Sequence, residues 1–372
     1  MLRLLLVCLC FCLATDLRAQ SPTRPSGSPT PAPAPSAAPP APSPPPTPSV
    51  DSLINSMAPA DLQQAVLLLK SNYINPEALN EAELNRAMLT GLLTRLSGGA
   101  ALLPDRAPEN SEATHPFHGE LLDGHIGYLR LGALTNPNLQ AMDAKLQEFS
   151  SKKADAVALD LRASPATNDF EVAAEFAKRF CPKGKLLFSL RKTAGKQERT
   201  FGSDRDPAFQ GLVIVLADGD TAGPAEAIAG VLRLYNKALI IGQPTAGRAV
   251  EFSDLPLNGG RVLRVAVAEA VLPEDRPLFP GGLKPDVPVE MSPGEKRAVF
   301  QQSLQGGMGP FVFESERPHL NEAALLAGRN PELEALETAQ RRARAAEKPQ
   351  ARDAVLQRAL DVVTSLAIYQ QR

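Results

Sequence analysis

Between Pro59 and Tyr73 the apolar residues Leu62, Val66, Leu69 and Tyr73 recur at i, i+4, i+7 and i+11, one stripe of an α-helix. "NEAELNRAMLTGLLTRL" repeats the pattern, and Gly98-Gly99 ends it, as glycine does at helix C-termini. Such stripes pack on something, most simply each other and the main domain. Residues 102–117 carry Pro, Asp, Asn and Ser and read as a loop. Beyond them the period shortens. "HIGYLRLGAL" alternates as a strand, "NLQAMDAKLQEFSS" is a helix, and "AVALDLR" is a nearly all-apolar run suited to a strand buried on both faces. "DFEVAAEFAKRF" is a second helix, "KLLFSLRKT" and "GLVIVLA" are strands, and the helix "AEAIAGVLRLY" precedes the strand "ALIIG". Strands alternating with helices of about a dozen residues indicate βαβ units and a largely parallel sheet, an α/β fold. "VEFSDLPLNGGRVLRVAVAEAVL" reads instead as two strands about an "NGG" hairpin turn. From Glu295 to Arg372 the pattern is helical and charged, with a break at Pro318 and a loop at Lys348-Pro349.

Composition changes the picture at the N-terminus. Arg3, the apolar run Leu4 to Leu13 and then Leu17-Arg18-Ala19 have the layout of a secretory leader, residues 1–19. The run is about half the roughly 20 residues a membrane span needs, so membrane attachment is expected only if the leader stays uncleaved. Residues 20–50 are dominated by proline and hold too few apolar side chains for a core, so they read as an extended spacer. The remaining divisions are a helical region with a loop (51–118), an α/β core (119–294) and a helical C-terminal region (295–372).

A net charge of −2 provides no basic field for nucleic acid. Of the four cysteines, Cys8, Cys10 and Cys12 lie in the leader. Cys181 alone remains; with no His near it in sequence, it reads as a small buried hydrophobe. His115 and His118 are placed on a loop, His125 and His319 are scattered, and no ligand spacing for a metal is present. No cofactor is expected.

The chemistry concentrates at "VLADGDTAGPAEAIAG", where an apolar strand meets a small-residue helix. Corners of this kind carry nucleophiles in many α/β enzymes. "GHIGYLRLGAL", "AVALDLRASP", "GLVIVLADGDTAGPAEAIAGVL", "ALIIGQPTAGRAVEF" and "GGLKPDVPVEM" stand in the order and spacing of the C-terminal processing, or tail-specific, serine peptidases, which the chain resembles from about Gly124 to Met291. The resemblance implies a core of the crotonase and Clp-protease type, export, and a family activity on the C-terminal ends of protein substrates. Many members insert a PDZ domain before the first core strand. Here about 25 residues separate Ser97 from Gly124, fewer than the 50 or so an independent domain needs, so that module is expected to be missing.

The family uses a Ser–Lys dyad with a polar helper. Alignment on Ala222 and Glu226 places the family serine at Gly223, the lysine at Arg248 and the helper at Leu234. The family turn that supplies an oxyanion donor falls on Ala163-Ser164-Pro165-Ala166-Thr167. Glycine forms no acyl-enzyme. Guanidinium stays protonated at a pKa above roughly 12 and is no general base. Leucine orients nothing by hydrogen bonding. The expectation is a pseudoenzyme that holds a protein or peptide ligand in the cell envelope through Arg248, Gly223 and Ala166.

Four further readings stand beside it. A displaced active site could use Thr221 or Ser164 as nucleophile with Lys237 or Glu226 as base, although Thr221 reads more simply as a helix cap and Ser164 as a turn residue. The corner itself reads as a plain helix start, with Gly223 as N-cap, Pro224 in the first turn, and Asp218, Asp220 and Glu226 favouring the positive end of the helix dipole. The corner's free N–H groups with Arg248 could instead bind an anion or carboxylate, against the plainer expectation of an arginine satisfied by local partners. A spacer whose tethered domain has no ligand is the remaining alternative.

Overall fold

The structure, a computed structural model, describes residues 49–104, 115–192, 196–312 and 351–370. The leader, nearly all of the proline segment, His319, Pro318 and the Lys348-Pro349 loop lie outside these residues. The chain divides into two units, 1–79 and 80–372. In the first, α1 (Val50–Ser56) is capped by the Ser49 hydroxyl, which accepts from the Ser52 N–H at 3.2 Å. Helix α2 (Pro59–Asn72) opens on proline, whose missing N–H is not needed there. The stripe expected of α2 forms the helix but is not covered: neither α1 nor α2 buries a residue, and Leu62 and Leu69 are 38% and 55% exposed.

The second unit begins with α3 (Glu81–Arg95), whose N-cap Asn80 accepts from the Glu83 N–H at 2.9 Å; it too buries no residue. The central sheet contains β2 (His118–Leu122), β3 (Ile126–Arg130), β4 (Ala156–Asp160), β7 (Leu212–Ala217), β8 (Ala238–Gly242) and β12 (Val287–Pro288). Its order is β12-β8-β7-β4-β3-β2, parallel throughout except for the β2–β3 hairpin. Alternate strand residues enter two separate cores. Leu129, Val157, Leu159, Val213 and Val215 pack under the crossover helices α4 (Asn136–Ser151), α5 (Phe170–Lys178) and α6 (Pro224–Leu234). Tyr128, Ala158, Ile214 and Leu216 pack under α7 (Pro293–Gly306), α8 (Gly309–Val312) and α9 (Ala354–Gln370). Both faces are dry, which is why these strands read as unbroken apolar runs. Packing is close enough that a Cβ on Gly127 would lie 2.5 Å from the Phe149 ring of α4.

A second, antiparallel sheet holds β1 (Ala100–Pro104), β5 (Leu186–Lys192), β6 (Gln197–Gly202), β9 (Val250–Leu257), β10 (Arg261–Leu272) and β11 (Arg276–Pro277). The β9–β10 hairpin forms as its turn signal indicates. Four elements differ from expectation. Strand β5 leaves the parallel sheet and pairs antiparallel with β6 and β10. The polar segment of β6 carries no apolar run to reveal it. Residues 100–104, partly assigned to a loop, form β1 because β10 offers them an edge, with Ala100 opposite Val265 and Pro104 opposite Arg261. His118, also placed on a loop, lies in β2, where its Nε2 is 3.1 Å from Glu120 Oε1.

Candidate functional site

The corner between β7 and α6 is not a plain helix start. The N-caps Ser49, Ala58, Asn80, Thr135 and Ser292 are extended, whereas Gly223 sits at φ 60°, ψ −128°. Side chains avoid this positive-φ region, and strain there clusters at functional turns. A Cβ on Gly223 would meet the Thr167 carbonyl oxygen at 3.3 Å and the Ala166 Cα at 3.9 Å, so the turn after β4 lies directly across from it. The same Cβ would be 3.9 Å from the Arg248 carbonyl oxygen, which brings the loop after β8 to the corner as well.

Glu226 ties the loop after β8 to the corner. Fully buried in the first turn of α6, it accepts at Oε2 from the N–H groups of Gly223 (3.1 Å) and Arg248 (2.8 Å). Its Oε1 accepts from the Gly247 N–H (2.7 Å) and the Thr245 hydroxyl (2.5 Å). Burial raises its pKa above the ordinary carboxylate value despite these four donors. The N–H groups expected to be free for an anion are therefore spent, and Glu226 has no capacity left to act as a base toward a ligand.

Asp218 and Asp220, expected to favour the helix dipole, instead bind Lys296 of α7, whose Nζ lies 2.6 Å from an oxygen of each. Beneath β4, Arg162 pairs with Asp160 (2.7 and 2.9 Å) and with Asp353 (2.7 and 3.0 Å), all essentially inaccessible. Tyr128 donates its hydroxyl to Asp160 at 2.8 Å. Burial pushes the Asp160 carboxyl up, but the Arg162 charge and the hydrogen bonds from Arg162 and Tyr128 outweigh it, and its pKa falls below the usual value. Cys181 is buried, and desolvation drives its thiol to about 12, an inert side chain.

Gly223, Arg248 and Ala166 line one cavity of about 540 Å³, joined by Thr167, Asn168, and residues of β1 and β9. The other sequence-derived positions do not reach it. Thr221 is buried; its hydroxyl donates to the Leu161 carbonyl (3.4 Å) and accepts from the Asp218 N–H (3.1 Å), so it fixes the turn and does not cap α6. Ser164 is buried with an unpartnered Oγ, and its N–H closes a turn onto Leu161 at 3.2 Å. Leu234 stands at the far end of α6, eleven residues or about 16 Å from Gly223 at 1.5 Å per residue, and packs against the core. Lys237 follows that same end, its N–H bonded to the Leu232 carbonyl.

Within the cavity, Arg264 and Asp254 satisfy each other through a two-point pair at 2.7 and 2.8 Å. Asn168 spends its side-chain amide on both backbone groups of Phe252, at 2.9 and 3.0 Å. The exposed Arg248 guanidinium has no ion-pair or hydrogen-bond partner among the described residues, which corrects the expectation of a locally satisfied arginine. Sequence reasoning missed Asn168, Lys296 and Asp353; the period-2 spacing of Asp160 and Arg162 was the one local signal for the buried network. Among the described residues no group of three or more His, Cys, Asp or Glu could hold a metal, and no helix is long and apolar enough to cross a membrane.

A parallel sheet covered on both faces, with a strained strand-to-helix corner held against the loop of the next strand, defines an α/β protein. Residues 125–289 match Peptidase family S41. The chain is 27% identical over 202 residues to a carboxyl-terminal-processing protease of Synechocystis sp., covering 54% of this chain and 43% of that protein. It is 28% identical over 187 residues to a carboxy-terminal-processing protease of Bartonella bacilliformis, covering 49% and 43%. The match thus spans less than half the length of these curated relatives. Among solved structures, a peptidase from Parabacteroides merdae aligns with a TM-score of 0.49 at 16% identity, over 65% of this chain and 85% of that one. The photosystem II D1 C-terminal processing protease aligns at 0.40 and 22%, over 51% and 47%.

Proposed function

We propose that this chain is a catalytically inactive member of family S41, exported to the bacterial cell envelope, that uses its cleft to hold a peptide or protein ligand. The observation that carries the reading is the pair Gly223 and Arg248, which border one cavity where the family resemblance puts a serine and a lysine. One offers no atom to form an acyl bond and the other no lone pair to accept a proton. The turn across from Gly223 adds to this, because it presents the Thr167 carbonyl oxygen, an acceptor that repels a developing oxyanion. Thr167 is the hydroxyl residue among those lining the cavity, and the lining carboxylate, Asp254, is held by Arg264. The leader-like residues 1–19 and the proline spacer support export and tethering. The rival, a peptidase working through Thr221 or Ser164, has little geometric support, since both are buried away from the cavity lining.

The test is turnover and labelling on the purified chain lacking the leader. Incubation with unfolded protein and unstructured peptides should release no fragments, and a fluorophosphonate probe should leave no adduct detectable by intact mass. Fragment release together with an adduct on any hydroxyl of the crevice would establish an active enzyme and end this reading.

A further inference from the structure

The sheet that walls the cavity has a second face, turned away from it. Where β1, β10 and β9 run side by side, Ala101, Arg264 and Asp254 stand in register and line the cavity. Side chains alternate between the two faces along a strand. The neighbouring row, Leu102, Leu263 and Leu255, therefore lies on the outer face, and the next outer row is Pro104, Arg261 and Leu257. Leu102, Leu255 and Leu257 are 39%, 46% and 42% exposed, so this apolar face meets solvent.

Helix α3, in the same unit, carries a matching surface. Glu81, Asn85, Met88 and Leu92 recur at i, i+4, i+7 and i+11, one stripe with Leu89 and Leu96 beside it. Met88, Leu89, Leu92 and Leu96 are between 40% and 59% exposed. The helix leaves the sheet from a fixed point. The Leu96 carbonyl accepts from the N–H groups of Gly99 (2.8 Å) and Ala100 (3.0 Å), and the Gly99 carbonyl accepts from the Ala266 N–H of β10 at 2.7 Å.

We infer that this chain forms a two-fold dimer in which α3 of each copy packs across the outer leucine face of its partner's β1, β10 and β9. The inference stands whether or not the cleft holds a ligand. Contiguous exposed apolar surface marks a contact site, and a helix of this length draws its stability from a covered apolar stripe. Shape and charge select a second copy. Three strands at about 4.8 Å spacing span about 10 Å, the diameter of a helix. Glu81 opens the α3 stripe and Arg261 closes the leucine face at the hairpin tip. Both are exposed, opposite in charge, and without an ion-pair or side-chain hydrogen-bond partner among the described residues. A two-fold axis makes both contacts at once, so each copy supplies the helix that covers the other's sheet. A lipid surface would favour a basic rim, whereas α3 begins with Glu81 and Glu83.

The experiment is sedimentation velocity on the chain lacking its leader, which should show a dimer that dissociates on dilution. Leu92→Glu and Leu255→Glu place a carboxylate in the contact from opposite sides, and each should weaken association at least ten-fold. Both positions are exposed in the single chain, so hydrogen exchange in β3 and β4 should stay unchanged. Glu81→Arg and Arg261→Glu should each weaken the dimer, and the two combined in one chain should restore it, because the charges then exchange sides. A monomer at every soluble concentration overturns the inference, as does a dimer indifferent to Leu255→Glu or to Leu92→Glu. Loss of the dimer in both leucine variants without rescue by the exchanged charges refutes the docking of α3 across that face. Binding to anionic vesicles by a chain that stays monomeric would assign the face to lipid instead.

Discussion

At the scale of single residues, the corner keeps a strained backbone at a position that carries no side chain. Gly223 keeps a positive φ that favours glycine, while Glu226 holds the loop after β8 to the corner at hydrogen-bond length. Installing the residues the family resemblance implies, by Gly223→Ser with Arg248→Lys, should therefore give no measurable peptide hydrolysis, because Pro224 brings no N–H and the Thr167 carbonyl oxygen faces the site. The Cβ introduced by Gly223→Ser must also sit 3.3 Å from the Thr167 oxygen. The same double variant should lose about 1–3 kcal/mol of stability in urea denaturation, the usual range for a side chain held in such backbone geometry. Glu226→Gln is the complementary case. An amide supplies one oxygen and one NH₂ where four donors point at two oxygens, so two buried donors lose their acceptor. A cost of about 2–6 kcal/mol is expected, at roughly 1–3 per orphaned group, read as a fall in thermal midpoint.

At the scale of elements, the C-terminal helix is attached to the sheet by charge as well as by apolar contact. Asp353 precedes α9, caps it by accepting from the Leu356 N–H at 2.9 Å, and pairs with Arg162 at the end of β4. The side chain thus closes a helix and a buried ion network at once. Asp353→Ala leaves Arg162 with one carboxylate and α9 without its cap. A loss of about 3–5 kcal/mol, as for other broken buried pairs, should appear in chemical denaturation. Hydrogen exchange in α9 should rise by a larger factor than in β4. Lys296 plays a similar part for α7, joining it to the Asp218–Asp220 turn that leads into the corner.

At the scale of the whole molecule, these groups set how stability responds to acid. His115 lies beside Phe300, and burial followed by the charges of Arg130 and Lys296 lowers its pKa below the usual 6.5. The unfolded chain then takes up a proton before the folded one, so stability falls as pH drops below about 6.5. Asp160, whose folded pKa is depressed, adds its contribution above the ordinary carboxylate value of about 4 and loses it below. Glu226 works in the opposite sense, because its raised pKa makes the protonated form favour folding. The expected outcome is a urea midpoint that declines from pH 7 to pH 5 and falls further toward pH 3, with His115→Gln flattening the first segment. A midpoint that rises on acidification would show that Glu226 outweighs the other two.

Sequence alone determined the parallel sheet, because strands buried on both faces must be continuously apolar and their crossover helices must carry one apolar stripe. It also determined that Gly223 and Arg248 cannot perform acyl chemistry, since that follows from the side chains themselves. The antiparallel sheet was legible only at its hairpin: β1 and β6 take their form from edges offered by distant strands, which no local pattern records. Only the tertiary structure decided that Gly223, Arg248 and Ala166 share a cavity while Thr221, Ser164 and Leu234 do not. It also decided that Glu226 takes the N–H groups of Gly247 and Arg248 and that the Arg248 side chain is left unpaired among the described residues, because hydrogen-bond partners some twenty residues apart are chosen by the packing of whole elements.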